Sequence, residues 1–127
     1  MIRKLIRLWY RFAPSFPVKR RVYDVVVFFD FRENPSFGTT PRKRLEGFES
    51  LMDHLPAKPC RIWDVGCNVG YFSLNCARRN HQVVAFDLSE KAIGLLERGL
   101  EENGLEVERV PRAFTPETTR YRLPASA

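Results

Sequence analysis

Two carboxylates and two glycines are the residues of this chain whose types and spacing could do chemistry. The glycines, Gly66 and Gly70, stand four residues apart in the stretch Asp64–Ser73, directly after the β-prone run Arg61–Trp63. A glycine lets the backbone turn tightly and approach a ligand that a Cβ would push away. The helix predicted after this turn would point unpaired N–H groups at the same ligand. The stretch therefore predicts a nucleotide-type cofactor site, with Asp64 as an acceptor for an ammonium or hydroxyl group.

A second predicted strand supplies the other carboxylate. Gln82–Phe86 is a largely apolar run that leads into Asp87, 23 residues after Asp64. The two strands of a βαβ unit run parallel, so Asp87 would lie beside the glycine turn and accept hydrogen bonds from the hydroxyls of a ribose. The segment Tyr71–Asn80 between the strands has the length of a connecting helix. These segments together predict a βαβ unit that binds a nucleotide.

The glycine pattern argues against a dinucleotide. The fingerprint G-x-G-x-x-G, read from Gly66, would need a glycine at Asn68 and a small residue at Tyr71, and neither is present. The motif instead resembles the first cofactor motif of the class I S-adenosylmethionine-dependent methyltransferases, D/E-x-G-x-G-x-G, with asparagine in place of the middle glycine. The variant D-V-G-x-N-x-G-Y-F/Y-S/T is most similar to that of the FkbM-type methyltransferase family.

The resemblance covers residues 59–110 and implies an α/β, Rossmann-like class I methyltransferase fold with S-adenosylmethionine as the cofactor. It implies that Asp64 and the turn backbone lie near the methionine part of the cofactor, and that Asp87 binds the ribose hydroxyls. The cofactor-binding residues that it implies are Asp64, Gly66, Cys67, Asn68, Gly70, Tyr71, Asp87 and Leu88.

The chain departs from the family in three places. The second strand is followed by Asp87-Leu88-Ser89, where FkbM-type proteins usually have Glu-Pro. After the third predicted strand, 105–110, the segment Pro111–Phe114 replaces an acidic residue that meets the adenine amino group in many relatives. The family also continues through several more strands beyond the position of Ala127. We therefore expect a partial fold, the N-terminal half of the parallel sheet, in which no residue can be assigned to methyl transfer.

The resemblance implies O-methyl transfer to a small molecule or sugar, with no nucleic acid partner expected. Other readings stay open: a non-catalytic module that binds the cofactor, a fragment completed by another chain, a peripheral membrane or interaction protein, or a nicotinamide-binding domain. No metal site is predicted, because His54 and His81 are isolated and the three cysteines match no zinc spacing. An odd number of cysteines favours reduced thiols and a cytoplasmic location.

The net charge of +6 is concentrated at the N-terminus, where seven Lys and Arg residues precede the first acid, Asp24. In residues 1–12 apolar side chains recur at helical spacing opposite most of the cations, which predicts an amphipathic helix. This helix could pack its apolar side on the sheet, contact an anionic membrane surface, bind nucleic acid or direct the chain to an organelle. No apolar run reaches the roughly 18 residues needed to span a bilayer.

The predicted organisation has four parts. A basic arm, 1–21, is followed by an extension, 22–58, which contains a β-prone run at Val22–Phe31 and a helix at 41–55 started by Thr40. The cofactor-binding βαβαβ core, 59–110, includes a second helix, Ser89–Asn103, with Ser89 as its cap and Gly104 as its end. The last part, 111–127, is predicted to be an irregular tail.

Overall fold

The structure, a computed structural model, describes residues 1–33 and 42–120. The chain divides into two compact units: Met1–Val18 with Phe29–Lys58 forms one, and Lys19–Phe28 with the chain from Pro59 onward forms the other. The four-part division drawn from the sequence stays a prediction.

A three-stranded parallel sheet forms the centre of the second unit. Its strands are β3 (Arg61–Val65), β4 (Gln82–Phe86) and β5 (Glu108–Val110), and β4 lies in the middle. In the register of the sheet Val65 lies opposite Phe86, so the chain leaves β3 and β4 at the same edge. The predicted parallel α/β core is thereby confirmed, although β5 begins three residues later than predicted.

Two helices connect these strands, and their ends follow from local chemistry. Helix α3 is Tyr71–Arg78, and helix α4 is Glu90–Asn103. The hydroxyl of Ser89 accepts a hydrogen bond from the third residue of α4 at 3.1 Å, and Gly104, with φ of 63°, ends the helix in a left-handed conformation. Both predicted caps of α4 are confirmed, whereas α3 ends two residues before its predicted end.

The core of the second unit lies where these helices meet the sheet. Leu74 of α3 and Leu96 of α4 are fully buried, and Val84, Phe86 and Val110 form a buried cluster across β4 and β5. A fully buried leucine contributes about 1.5–3 kcal/mol through the hydrophobic effect. The packing of α3 on β3 and β4 therefore holds the chain that follows β3 in place.

The β-prone run Val22–Phe31 contains one strand, as predicted, and a second strand that was not predicted precedes it. Strands β1 (Pro17–Val22) and β2 (Val25–Asp30) form a two-stranded sheet, joined by a turn at Tyr23 and Asp24. Tyr23 has a φ of 58°, which L side chains other than Asn and Asp rarely adopt. The turn was not predicted from the sequence, because tyrosine favours extended structure.

Two asparagines of the second unit hold this turn and the start of β2. Asn103 of α4 donates to the carbonyl oxygen of Val26 at 2.7 Å and accepts from its N–H at 2.9 Å, as a paired strand would. Buried Asn75 of α3 donates to the carbonyl oxygen of Val22 and accepts from the N–H of Asp24, both at 3.1 Å. The side-chain amides thus satisfy backbone groups at the end of β1, in the turn and in β2 that would otherwise need water.

In the first unit, helix α1 (Ile2–Phe12) forms where the amphipathic pattern predicts it, and helix α2 spans Arg42–Asp53. The predicted cap of α2, Thr40, lies outside the described residues. Among the described residues no helix is both long enough and apolar enough to cross a bilayer. The predicted irregular tail contains a short 3-10 helix, Pro116–Arg120.

Candidate functional site

Asp64 lies near the carboxyl end of β3 and interacts with the first turn of α3. The hydroxyl of Ser73, which is completely buried, donates to Oδ2 of Asp64 at 2.6 Å, and the backbone N–H of Ser73 bonds to the same carboxylate. The N-cap residue of α3, Gly70, has no side chain that could do this. Asp64 therefore replaces the missing cap, which fixes the position of its carboxylate. The sequence analysis did not identify Ser73 as part of this site.

Burial raises the pKa of Asp64 above its usual value of 3.8, and the charge of Asp87 raises it further, while the two hydrogen bonds from Ser73 oppose the rise. The ionised carboxylate is therefore short of positive counter-charge. A ligand ammonium placed beside it would supply that charge and lower the pKa. A carboxylate that lacks a neighbouring cation fits the predicted role of Asp64 as an acceptor for the ammonium group of a methionine.

The turn after β3 is tied to the end of β4. The N–H groups of Gly66 and Cys67 both donate to the carbonyl oxygen of Phe86, at 2.8 and 2.9 Å. Gly66, Asn68 and Gly70 all have positive φ, of 75°, 52° and 86°. Three left-handed residues within five positions need residue types that tolerate such angles, which explains glycine and asparagine here.

The two glycines of the turn have different surroundings. A Cβ built on Gly66 would meet no atom within 4 Å, so the backbone there borders open space that a ligand can occupy. A Cβ built on Gly70 would lie 2.3 Å from Cδ1 of Leu96. The missing side chain of Gly70 thus makes room for the packing of α4, whereas that of Gly66 leaves room beside the turn.

Asp87 joins the turn to the start of α4. Its Oδ2 accepts from the N–H of Asn68, and its Oδ1 accepts from the N–H of Ser89, both at 2.8 Å. Each carboxylate oxygen has about two acceptor positions, so one remains on each for the hydroxyls of a ligand. Beside it Leu88 is 74% exposed, and Tyr71 at the start of α3 is 38% exposed. Exposed apolar surface thus directly follows Asp87 in the chain, at Leu88, which suits a nucleoside.

Cys67 contributes volume to the turn and no reactivity. Its side chain is buried, and burial, followed by the charges of Asp64 and Asp87, raises the pKa of its thiol to about 12. A thiol in this state stays protonated at neutral pH and is a poor nucleophile. Cys60 and His81 directly precede β3 and β4, at the edge of the sheet opposite the carboxylates. There Nδ1 of His81 accepts a hydrogen bond from the N–H of Cys60 at 3.0 Å.

The segment after β5 returns to the sheet through an aromatic cluster. The ring of Phe114 lies 5.4 Å from that of Trp63 and 5.2 Å from that of Phe86. These contacts give the predicted irregular segment a fixed place in the second unit, which the sequence analysis missed. In the described residues no group of three or more His, Cys, Asp or Glu side chains could hold a metal ion.

The structure therefore brings Asp64, the turn 66–70 and Asp87 to one edge of the sheet. The residues fit S-adenosylmethionine: open space beside Gly66, a carboxylate that lacks counter-charge, and a second carboxylate with free acceptor positions. The cofactor contacts of the eight predicted residues stay predictions.

Comparisons with known proteins agree with this fold. A family model described as "Methyltransferase small domain" matches residues 42–122. The 23S rRNA (uracil(747)-C(5))-methyltransferase RlmC of Vibrio vulnificus is 29% identical over 75 residues, which are 58% of this chain and 20% of RlmC. The chain thus spans about a fifth of that curated relative.

Two solved structures share the fold. The tRNA (uracil-54, C5)-methyltransferase of Pyrococcus abyssi, in complex with S-adenosyl-L-homocysteine, matches with a TM-score of 0.59 and 22% identity over 78% of this chain and 24% of its own. The 16S rRNA N2 G1207 methyltransferase RsmC of T. Thermophilus, in complex with AdoMet and guanosine, matches with a TM-score of 0.58 and 21% identity. That match covers 79% of this chain and 28% of RsmC.

These findings correct the predicted methyl acceptor and the predicted methyltransferase family. The prediction of a small-molecule acceptor without a nucleic acid partner is wrong, because the relative and both neighbours act on ribosomal or transfer RNA. The comparisons support a class I methyltransferase and S-adenosylmethionine as the cofactor, but they do not support the FkbM-type family. Since the family model matches well over half of the residues, and the parallel sheet carries the expected turn, the chain belongs to the methyltransferase small domain family.

Proposed function

We propose that this chain is the cofactor-binding part of an S-adenosylmethionine-dependent methyltransferase. The observation that carries the proposal is the meeting of Asp64, the glycine turn and Asp87 at one edge of the sheet. In this proposal Asp87 accepts from the ribose hydroxyls, Asp64 lies near the methionine ammonium, and the backbone at Gly66 borders the cofactor. Leu88 and Tyr71 flank the nucleoside.

When bound, S-adenosylmethionine supplies an electrophilic methyl group that is transferred by in-line displacement. The contribution of this chain is to hold and orient the cofactor, because positioning by itself can provide several kcal/mol toward such a reaction. The buried Ser73 restrains the Asp64 carboxylate, and the hydrogen bonds from two backbone N–H groups restrain the Asp87 carboxylate. No residue of the chain is assigned to the acceptor or to proton removal.

We further propose RNA as the substrate class, of the ribosomal or transfer type. Support comes from the relative and the two structural neighbours, all of which act on such RNA. The acceptor position on the RNA is left open, since the two neighbours methylate different bases, uracil and guanine.

Calorimetric titration of S-adenosylhomocysteine into the purified chain tests the cofactor site. Asp87→Asn should abolish saturable binding, because the amide offers fewer acceptor positions to the hydroxyls. Glu90→Gln is the matched control, since it removes one charge from the exposed first turn of α4 without touching the carboxylate pair. Failure of the folded wild-type chain to bind, or equal losses in both variants, would refute the cofactor proposal.

Transfer of a radiolabelled methyl group from S-adenosylmethionine to purified ribosomal and transfer RNA tests the substrate class. We expect label in RNA with the wild-type chain and none with Asp87→Asn. A chain that binds S-adenosylhomocysteine yet labels neither RNA would show that it does not methylate RNA unaided.

A further inference from the structure

All of the excess positive charge of this chain lies near its N-terminus. Seven Lys and Arg residues precede Asp24 with no acid among them. The rest of the chain has 14 of the 21 basic residues and all 15 acidic residues, which leaves it with a net charge of −1. An RNA backbone carries one negative charge per nucleotide and binds surfaces with surplus Lys and Arg. The surplus that RNA would need is therefore located in the N-terminal residues.

Helix α1 arranges four of these cations on one side. Arg3, Arg7 and Arg11 follow one another at intervals of four residues, which places them in a row with steps of about 6 Å along the helix axis. Lys4 lies beside this row, and all four side chains are exposed. The spacing suits a series of backbone phosphates, each of which needs one cation.

The opposite side of α1 is attached to the protein. The ring of Trp9 packs edge-on against Phe31, with centroids 5.2 Å apart, and its indole N–H donates to the carbonyl oxygen of Arg32 at 3.2 Å. At 3.6 residues per turn, Trp9 lies opposite Arg7 and Arg11. The contact turns the apolar side toward residues 31–32 and directs the basic side away from them. Several apolar side chains of α1 nevertheless stay half or more exposed: Ile2, Leu5, Leu8 and Phe12.

We propose that the basic side of α1, formed by Arg3, Lys4, Arg7 and Arg11, binds the phosphate backbone of RNA. The identity of the ligand as RNA rests on the proposed function. The position of its binding surface on α1 rests on the charge distribution and on the Trp9 contact. The contacts are with phosphates, so they strengthen binding to RNA of any sequence and do not select the methylated base.

Fluorescence anisotropy with labelled transfer RNA, measured over a series of salt concentrations, tests this surface. Arg7→Gln/Arg11→Gln should weaken binding and reduce the slope of log affinity against log salt by about 1 for each cation removed. The control Lys58→Gln/Lys91→Gln removes two exposed cations that are not part of α1 and should bind as the wild type does. Calorimetry should give the same affinity for S-adenosylhomocysteine in the wild type and in both double variants. This measurement distinguishes loss of the cofactor site from loss of the RNA-binding surface.

Two kinds of result overturn the proposal. The first is a wild-type chain that does not bind the RNA, or two double variants that lose the same affinity. The second is an α1 variant that binds RNA normally but loses binding to vesicles of phosphatidylcholine with phosphatidylglycerol, which would make α1 a membrane surface instead.

Discussion

Alanine at Gly66 and alanine at Gly70, introduced one at a time, should separate the two roles of the turn. Both residues have positive φ, of 75° and 86°, so both substitutions strain the backbone in a similar way. Their surroundings differ, because the new methyl group would enter open space at Gly66 but approach Leu96 at Gly70. Any difference between the variants therefore reports on what lies beside each Cβ.

The backbone strain of an L residue in the left-handed region is about 1–2 kcal/mol. At Gly66 this is the whole expected cost. At Gly70 the methyl group would lie 2.3 Å from Cδ1 of Leu96, which is completely buried, and overpacking of this kind adds about 1–3 kcal/mol. We therefore expect Gly70→Ala to lower the free energy of unfolding by about 2–5 kcal/mol, and Gly66→Ala by about 1–2 kcal/mol.

Urea denaturation followed by circular dichroism measures these costs, and calorimetry with S-adenosylhomocysteine measures binding. Gly66→Ala should stay folded and lose most of its affinity, because the methyl group would occupy the space beside the turn. Gly70→Ala should be the less stable of the two. The reasoning would be refuted by a Gly66→Ala variant that binds normally, or by one that is as unstable as Gly70→Ala.

Three further outcomes are expected. Asn103→Ala should lower the free energy of unfolding by about 1–3 kcal/mol in urea, because it leaves two backbone groups of β2 without partners; Asn103→Asp should not recover this loss, since a carboxylate cannot donate to the carbonyl oxygen of Val26, and an alanine variant as stable as the wild type would contradict the pairing. Asp64→Asn should be more stable than the wild type at pH 7, because the raised pKa of Asp64 makes its ionisation costly in the folded state. That advantage should vanish as the pH falls through the folded-state pKa toward 3.8, and a constant difference across this range in urea melts would argue against it. Iodoacetamide at pH 8 should label Cys60 well before Cys67 and Cys76, whose pKa values are raised to about 12 by burial, and mass spectrometry showing three equal rates would disprove this.

Elements with strong local signals were predictable from the sequence. Ser89 and Gly104 marked the ends of α4 because capping depends on neighbouring backbone groups and on one residue's allowed φ. The strands β3 and β4 were recognisable as short apolar runs followed by polar turns. The turn at Tyr23 was not predictable, since tyrosine favours extended structure and the left-handed angle there depends on bonds to Asn75 from a distant helix.

The sequence by itself determined the order of the core elements and the residue types at the turn, because glycine and asparagine tolerate left-handed angles wherever they occur. It also determined the charge asymmetry, which is a property of composition and order. Only the tertiary structure decided that Ser73 restrains Asp64, that Gly70 makes room for Leu96, and that Asp87 holds two backbone amides. Apart from the local bond between Asp87 and Ser89, these contacts join residues 9 to 26 positions apart, and such pairs are brought together by the packing of α3 and α4 on the sheet and not by local preference.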